Sequence, residues 1–218
     1  MSLYYSFQTV RKSGWLLLLM LLLCMAGRCV AQDAFTSQPL SDSVFAVMQG
    51  RSYPKGCTVS RTDLRYLTVL HVDARGETHR GELVCNKLIA DDLLYIFKEL
   101  YKARYPIEHM RLIDNYDADD ERSMTANNTS CFCYRAVAGS KHLSKHAQGL
   151  AIDINPLYNP CVRGQRVQPA NGRKWAHRAR TFIYKIERGD QLWQLFRERG
   201  FTWGGSWRSV KDWQHFEK

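Results

Sequence analysis

The sequence predicts a single α+β domain, built mostly from antiparallel sheet with flanking helices. Two strand-like runs, "LRYLTVLHVD" and "GELVCN", border the turn-forming "DARGE" and predict a β-hairpin. Residues 87–105 then carry apolar side chains at three- and four-residue steps, which predicts an amphipathic helix ended by Pro106. No internal repeat or linker follows, so one domain is the simplest organisation.

The remaining elements are shorter. Ser41 or Asp42 can cap a short helix in "SDSVFAVM", and Asp190 can cap another one near the C-terminus. "IEHMRLI" and "CFCYRAV" are strand-like runs separated by a polar loop. Residues 155–180 are polar and rich in proline, which predicts a long surface excursion of the kind that borders binding sites.

The N-terminal residues differ from the rest of the chain. Arg11 and Lys12 precede the apolar run "GWLLLLMLLLCMAG", and Cys29 and Ala31 offer the small residues of a cleavage site. The apolar run is about a dozen residues long, short of the ~20 that span a bilayer. A cleaved secretory signal is therefore favoured over an uncleaved membrane anchor.

These features divide the chain into three segments. We interpret residues 1–31 as a signal peptide, 32–60 as an N-terminal lead-in and 61–218 as the main domain. The mature protein is then periplasmic or extracellular, with no stable membrane span. Its formal net charge falls from +10 to +7 when Arg11, Lys12 and Arg28 leave with the signal.

A basic exported domain suits an anionic polymer such as a cell wall, and basic charge also occurs in proteins that bind nucleic acid or membrane headgroups. The basic residues are scattered, so we expect no nucleic-acid partner. Composition is otherwise ordinary for a globular protein, with 45% hydrophobic and 24% charged residues. The sequence does not indicate an oligomeric state.

An odd number of cysteines remains after the signal, so at least one stays unpaired within a monomer. An exported protein can form disulfides, and Cys131-x-Cys133 is a poor zinc signature without a second pair. We expect one bridge and a buried thiol, with the pairing left open. The five cysteines are Cys57, Cys85, Cys131, Cys133 and Cys161.

The stretch "SKHAQGLAID" carries the first functional signal. The steps from His146 to Asp153 rise roughly 10 Å in a helix and over 20 Å in a strand, so neither regular structure brings both side chains to one ion. Gly149 tolerates positive φ and can make a bend. "LAIDIN" after it has the pattern of a buried strand. An imidazole and a carboxylate can thereby meet at one divalent cation.

The C-terminal "KDWQHFEK" supplies a third ligand, because a catalytic zinc generally has three protein ligands and a water. His215 lies in a strand-like run. Asp212, three residues earlier, would point the opposite way in a regular strand, so we place it in a loop before the strand. His142 is the weaker alternative ligand, since no glutamate follows it and Gly149 opposes a helix.

Together these motifs resemble those of the zinc D-alanyl-D-alanine carboxypeptidases and L-alanyl-D-glutamate endopeptidases, which include bacterial cell-wall peptidases and phage endolysins. The resemblance covers roughly residues 81–218, and the endolysin-type branch is nearest in pattern. It rests on Ser144-x-His146-x-x-Gly149-x-Ala151-x-Asp153, on "WGGSW" and on Asp212-x-x-His215.

The resemblance implies a hedgehog-like α+β fold and one Zn²⁺ ion held by His146, Asp153 and His215. It also implies that Asp212 is the general base. "NNTSCFCYR" matches the family segment that places an arginine near the scissile carbonyl, here Arg135. The implied substrate is a peptidoglycan stem peptide or muropeptide.

The expected reaction is hydrolysis of a peptide bond, by either carboxypeptidase or endopeptidase action. Zinc lowers the pKa of its water toward ~7, and Asp212 takes the proton and passes it to the leaving amine. Arg135 stabilises the oxyanion or binds a substrate carboxylate. Ser144 binds substrate or only shapes the turn.

Two alternatives stay open. One is a catalytically inactive, zinc-stabilised module that binds cell-wall peptide or a protein partner, and the other is a metal-dependent enzyme acting on a different amide. Asp212 separates the first from a peptidase, because a pure binder has no need of a base beside the metal. The ligand set also accommodates other first-row ions.

Overall fold

The computed structural model describes residues 34–137 and 140–218, of which Thr36–Lys218 form one unit. The predicted signal peptide lies outside the described residues. None of the helices in the described ranges is long and apolar enough to cross a membrane.

Most of the strands and helices in the unit are short. Five 3₁₀ helices also occur in the described residues, at Arg61–Asp63, Ile113–Tyr116, Lys145–Gln148, Ala170–Trp175 and Gly204–Ser206. The strands and α-helices are β1 (Thr36–Pro39), α1 (Asp42–Met48), β2 (Leu64–Val72), β3 (Thr78–Asn86), α2 (Lys87–Lys102), β4 (His109–Met110), α3 (Asp120–Thr125), β5 (Asn128–Thr129), β6 (Ala151–Asp153), β7 (Cys161–Arg163), β8 (Arg166–Gln168), α4 (Gln191–Glu198), β9 (Thr202–Trp203), β10 (Lys211–Asp212) and β11 (His215–Glu217).

The predicted hairpin is confirmed as the largest antiparallel pair. β2 and β3 pair along their full nine-residue lengths, and β1 adds an edge strand on β2. Asp73 closes the turn, because its Oδ1 accepts hydrogen bonds from the backbone N–H groups of Arg75 at 2.9 Å and Glu77 at 3.0 Å. The pattern of turn residues between two apolar runs was therefore sufficient to find this element.

The predicted amphipathic helix is also confirmed, as α2. Asn86 caps it by accepting a hydrogen bond from Leu88 N at 3.1 Å. The helix ends at Lys102, before the expected Tyr105, because the chain turns at Arg104 with φ 55°. The apolar face is buried and comprises Ile89, Leu93, Ile96, Phe97 and Leu100.

The lead-in packs into the same unit as the residues that follow it. Ser41 caps α1 by accepting from Val44 N at 3.2 Å, as predicted, while β1 was not expected. Residues of the lead-in share one hydrophobic cluster with the hairpin and with the segment after β5. The buried members of that cluster are Leu40, Met48, Leu64, Val84, Leu112 and Phe132.

Two strand predictions were wrong: one segment forms no strand, and the other forms a strand of only two residues. "CFCYRAV" forms no strand, because its successive amides bond to separate segments: Phe132 N to Val84 O, Cys133 N to His146 O and Tyr134 N to Ser52 O. A strand needs one continuous partner. "IEHMRLI" forms only the two residues of β4, since the chain enters a 3₁₀ helix at Ile113.

The expected disulfide is absent from the described residues, where all five cysteines are free. Cys131 and Cys133 do not meet, because side chains two residues apart in an extended segment share a face but remain ~7 Å apart along the chain. Their thiols contact different carbonyls, Cys131 that of Gly149 at 3.6 Å and Cys133 that of Ala118 at 3.8 Å.

Two small antiparallel sheets carry the metal-ligand motifs predicted for the C-terminal half. One has the strand order β6-β11-β9 and the other β10-β7-β8. The α+β class is thus confirmed as several small antiparallel sheets with few helices. The predicted excursion over residues 155–180 is partly ordered, since it contains β7, β8 and a 3₁₀ helix.

Candidate metal centre

The bend predicted at Gly149 is present. Ser144 starts the 3₁₀ helix Lys145–Gln148, with its Oγ accepting from His146 N at 3.2 Å, and Gly149 ends it in the left-handed region at φ 68°. A Cβ at Gly149 would lie 2.7 Å from Asn86 N, so this position also needs the absence of a side chain. His146 therefore comes before the bend and Asp153 in the strand after it.

Strand pairing brings in the third residue. β11 runs antiparallel to β6 with His215 directly opposite Asp153. Side chains of directly opposed residues lie about 4.5–5.5 Å apart at Cβ on the same face. The pairing thus places an imidazole beside the carboxylate, although 62 residues separate them in sequence.

The three side chains converge at their tips. His146 Nε2 lies 3.2 Å from Asp153 Oδ2 and 3.2 Å from His215 Nδ1, and His215 Nδ1 lies 3.1 Å from Asp153 Oδ1. A tetrahedral zinc with bonds of 2.0–2.1 Å separates its ligand atoms by about 3.3 Å. The spacing of these atoms fits such an ion.

The outer contacts of the two imidazoles set the tautomers that a metal needs. His146 Nδ1 lies 2.6 Å from the carbonyl oxygen of Cys131, so Nδ1 donates and leaves the Nε2 lone pair facing the cluster. His215 Nε2 lies 3.0 Å from Glu217 Oε2, which leaves the Nδ1 lone pair facing the cluster. Carboxylate and carbonyl partners of this kind typically orient metal-bound histidines.

The electrostatics of the cluster favour a positive charge beside Asp153. Burial opposes ionisation of Asp153, but the adjacent His146 and His215 hold its pKa well below the usual range. Burial lowers the pKa of His215, whereas its hydrogen bonds to Asp153 and Glu217 raise it, with a net result of about 10. A proton on His215 thus partly fulfils the role that a cation would have.

A second acidic cluster in the described residues, Asp73, Glu77 and His79, has different surroundings. Arg75 lies 3.1 Å from Asp73 and 2.9 Å from Glu77, and two backbone N–H groups bond to Asp73. Part of its negative charge is therefore already offset by Arg75, and the cluster closes the β2–β3 turn. His142 is exposed and lies outside both clusters.

Asp212 faces the same cavity as the three converging residues. The expectation that it lies in a loop was wrong, because it belongs to β10, which pairs with β7 rather than continuing into β11. Because Asp212 and His215 lie on separate strands, the rule that residues three apart in one strand point to opposite faces does not apply to them. Burial and the nearby Asp153 charge raise the pKa of Asp212 to about 6.

The glycines of "WGGSW" explain how Asp212 is held. A Cβ on Gly204 would lie 2.7 Å from the Asp212 carbonyl oxygen and 3.3 Å from His215 Cβ. The backbone of this turn therefore contacts both functional residues. Asp212 Oδ1 is buried and has no hydrogen-bond partner among the described residues, so it is an acceptor without a protein donor.

Arg135 and Ser144 line the cavity as well. The Nε of Arg135 forms an ion pair with Asp120, a residue at the start of α3 that the sequence did not single out. The four N–H groups on its Nη atoms are not used by that pair. Ser144 Oγ caps the turn before His146 by accepting from the His146 N–H, and its own O–H is not used by that bond.

The cavity has a volume of about 370 Å³. One wall comes from the excursion, through Cys161, Arg163 and Gln168, which sequence reasoning did not assign. The sequence analysis did not predict Glu217 as the hydrogen-bond partner of His215. Its position was informative, because residues two apart on a strand point to the same face. The carbonyl of Cys131 has no sequence signal, since any residue supplies one.

The C-terminal part of the chain matches a family of known proteins. Residues 138–218 match the family model described as D-alanyl-D-alanine carboxypeptidase. No curated protein and no solved structure matches the chain. The matched range contains Ser144, His146, Asp153, Asp212 and His215, and it confirms the resemblance on which those residues were chosen. This C-terminal part of the chain is therefore similar to the D-alanyl-D-alanine carboxypeptidase family of peptidases.

Proposed function

We propose that this protein is an exported zinc metallopeptidase that hydrolyses a peptide bond in peptidoglycan stem peptides. The observation that carries the proposal is the convergence of His146 Nε2, His215 Nδ1 and the Asp153 carboxylate within 3.1–3.2 Å of one another. Asp212 lines the same cavity. Metal ligands and an adjacent base together are typical of metal-assisted hydrolysis.

His146, Asp153 and His215 would hold the ion, and their donor set of two imidazoles and one carboxylate is common in catalytic zinc sites. When bound, Zn²⁺ supplies Lewis acidity, which polarises a carbonyl and lowers the pKa of water toward ~7. Glu217 and the Cys131 carbonyl keep the two imidazoles oriented.

Asp212 would act as the general base. Its Oδ1 has no protein donor among the described residues and can accept a proton from the attacking water. The same carboxyl can then donate that proton to the nitrogen of the leaving amine. Substrate peptide enters through the open side of the cavity, where Ser144 and Gln168 provide polar contacts.

Arg135 would stabilise negative charge on the carbonyl oxygen. Its ion pair with Asp120 fixes Nε and leaves the Nη groups as donors to an oxyanion. Asp120 thereby acts as a positioning residue for Arg135. The family match begins at residue 138, after this segment, so this role rests on the cavity geometry and on the resemblance of "NNTSCFCYR".

The proposal extends to the fold and to the location. The strand pairing of β6 with β11, with the ligands on one face, supports a hedgehog-like fold for residues 61–218. The apolar N-terminal run supports export with cleavage after Ala31. The resulting +7 charge favours association with an anionic wall polymer.

A zinc-stabilised binding module is the second candidate. The metal cluster alone would suit it equally well. The unpartnered Oδ1 of Asp212 favours the enzyme, because a buried acceptor without a donor costs stability and a module that does no chemistry gains nothing from it.

The test is incubation of purified peptidoglycan and synthetic stem pentapeptide with zinc-loaded protein and with Asp212→Asn, followed by mass analysis of the fragments. We expect cleavage by the native chain and a loss of at least 100-fold in Asp212→Asn at unchanged zinc content. His79→Ala is the matched control, and it should retain both zinc and activity. Zinc binding with no cleavage by the native chain would favour the binding module.

A further inference from the structure

The strand β7 presents two side chains to the cavity. Cys161 and Arg163 both line it, as expected for residues two apart on one face of a strand. Cys161 is directly opposite Asp212 on β10 and opposite Gln168 on β8, and both of those residues also line the cavity. The β10-β7-β8 sheet therefore forms a wall that continues outward from Asp212 to Arg163.

The cations that line the cavity differ in what they contact. Arg135 is paired with Asp120. Lys145 donates through Nζ to the carbonyl oxygen of Lys218 at 3.3 Å. The guanidinium of Arg163 makes neither an ion pair nor a side-chain hydrogen bond with any of the described residues. Among the described arginines and lysines that line the cavity, Arg163 is therefore the one whose side chain has no ion-pair or hydrogen-bond partner.

We propose that Arg163 binds a carboxylate of the substrate, one or two residues from the scissile amide. This inference rests on the proposed peptidase function. Arg163 lies about 7 Å along β7 from Cys161, the residue opposite Asp212, and one extended peptide residue spans roughly 3.3–3.6 Å. A peptide whose amide lies beside Asp212 can reach the guanidinium within that length.

A carboxylate is the group that suits this position. The guanidinium presents a planar fork of N–H donors that matches the two oxygens of a carboxylate. Two carboxylates of a stem peptide qualify: the free C-terminus, which a carboxypeptidase reads, and the α-carboxylate of a γ-linked glutamate, which an endopeptidase reads. The chemistry at Arg163 is the same in both cases.

The hairpin also provides a matched control. Arg166 on β8 is directly opposite Arg163, is also exposed and has the same charge, but it does not line the cavity. A general effect of positive charge on an anionic substrate would involve both arginines, whereas a specific contact involves only Arg163.

The experiment compares the native chain, Arg163→Gln, Arg163→Lys and Arg166→Gln, all zinc-loaded. The substrates are a stem pentapeptide, its C-terminal carboxamide and its analogue with an α-carboxamide on glutamate. Removing the recognised carboxylate should raise the KM of the native chain about tenfold, as expected for one charge-assisted contact at an exposed position. For Arg163→Gln, the KM for the unmodified pentapeptide should be about tenfold above that of the native chain. Its KM should not rise further on the carboxamide that lacks the recognised carboxylate.

Arg166→Gln should match the native chain, and Arg163→Lys should recover part of the loss. The carboxamide substrate on which the KM of the native chain rises identifies which carboxylate Arg163 binds. An equal effect of Arg163→Gln on acid and amide substrates would overturn the inference, since a merely structural role does not distinguish them. Unchanged KM in Arg163→Gln on all substrates would overturn it too.

A binding measurement separates this inference from the proposed function. Calorimetric titration of the pentapeptide into Asp212→Asn and into Asp212→Asn/Arg163→Gln requires no turnover. Binding weakened about tenfold in the double variant supports the carboxylate contact, even if the native chain cleaves nothing and the peptidase proposal fails. Equal binding to both variants refutes the contact, whatever the native chain cleaves.

Discussion

Gly149→Ala should destabilise the fold through two separable effects. Alanine at φ 68° occupies the left-handed region, at an expected loss of about 1–2 kcal/mol. The new Cβ would also lie 2.7 Å from Asn86 N and 3.2 Å from Cys85 C, which are backbone atoms and cannot move independently. Overpacking of this kind costs about 1–3 kcal/mol, so the expected total is about 2–5 kcal/mol.

Gly50→Ala is the control for the conformational part. Gly50 has a similar φ of 76°, and a Cβ there has nothing within 4 Å, so we expect only the loss of about 1–2 kcal/mol. Urea unfolding of both variants at pH 7 measures the free energies. Gly149→Ala should be less stable than Gly50→Ala by about 1–3 kcal/mol. Equal destabilisation would refute the claim that the bend packs tightly against Asn86.

Three further outcomes follow from the structure. Burial lowers the pKa of His71 to about 4, so the unfolded chain, with a value near 6.5, binds the proton more readily than the folded one. The stability that depends on neutral His71 is complete above pH 6.5 and is lost as pH falls toward 4. Chemical denaturation of His71→Gln should show a fall in the free energy of unfolding between pH 7 and pH 4 that is smaller than that of the native chain by up to about 3 kcal/mol. Glu217→Gln should weaken zinc binding about 10–100-fold in chelator competition, because Glu217 accepts from His215 Nε2; unchanged affinity would contradict its orienting role. Gly204→Ala should lower kcat roughly 100-fold in a peptide-release assay while zinc remains bound, because the added Cβ displaces the Asp212 backbone; full activity would show that this turn does not position the base.

Local physical chemistry made much of the fold predictable. The apolar runs and turn residues of the β2–β3 hairpin, the apolar stripe of α2 and the caps at Ser41 and Asp190 are all encoded within short windows of sequence. The bend at Gly149 was predictable for the same reason, because φ 68° is a property of one residue type more than of its surroundings.

The predictions failed where hydrogen-bond partners come from several distant segments. "CFCYRAV" has the composition of a strand, yet its amides bond to Val84, His146 and Ser52 in turn. No pattern within that run specifies those partners. The loop assigned to Asp212 failed similarly, since a two-residue strand exists only because β7 lies beside it.

By itself, the sequence determined which residue types could bind a metal and which glycine could bend the chain between two of them, because spacing, chirality and side-chain chemistry are local properties. Only the tertiary structure decided that His215 stands opposite Asp153, that Glu217 and the Cys131 carbonyl orient the imidazoles, and that Arg163 joins the cavity wall. Those relations depend on strand register and on contacts between segments far apart in the chain, which are fixed when the core packs.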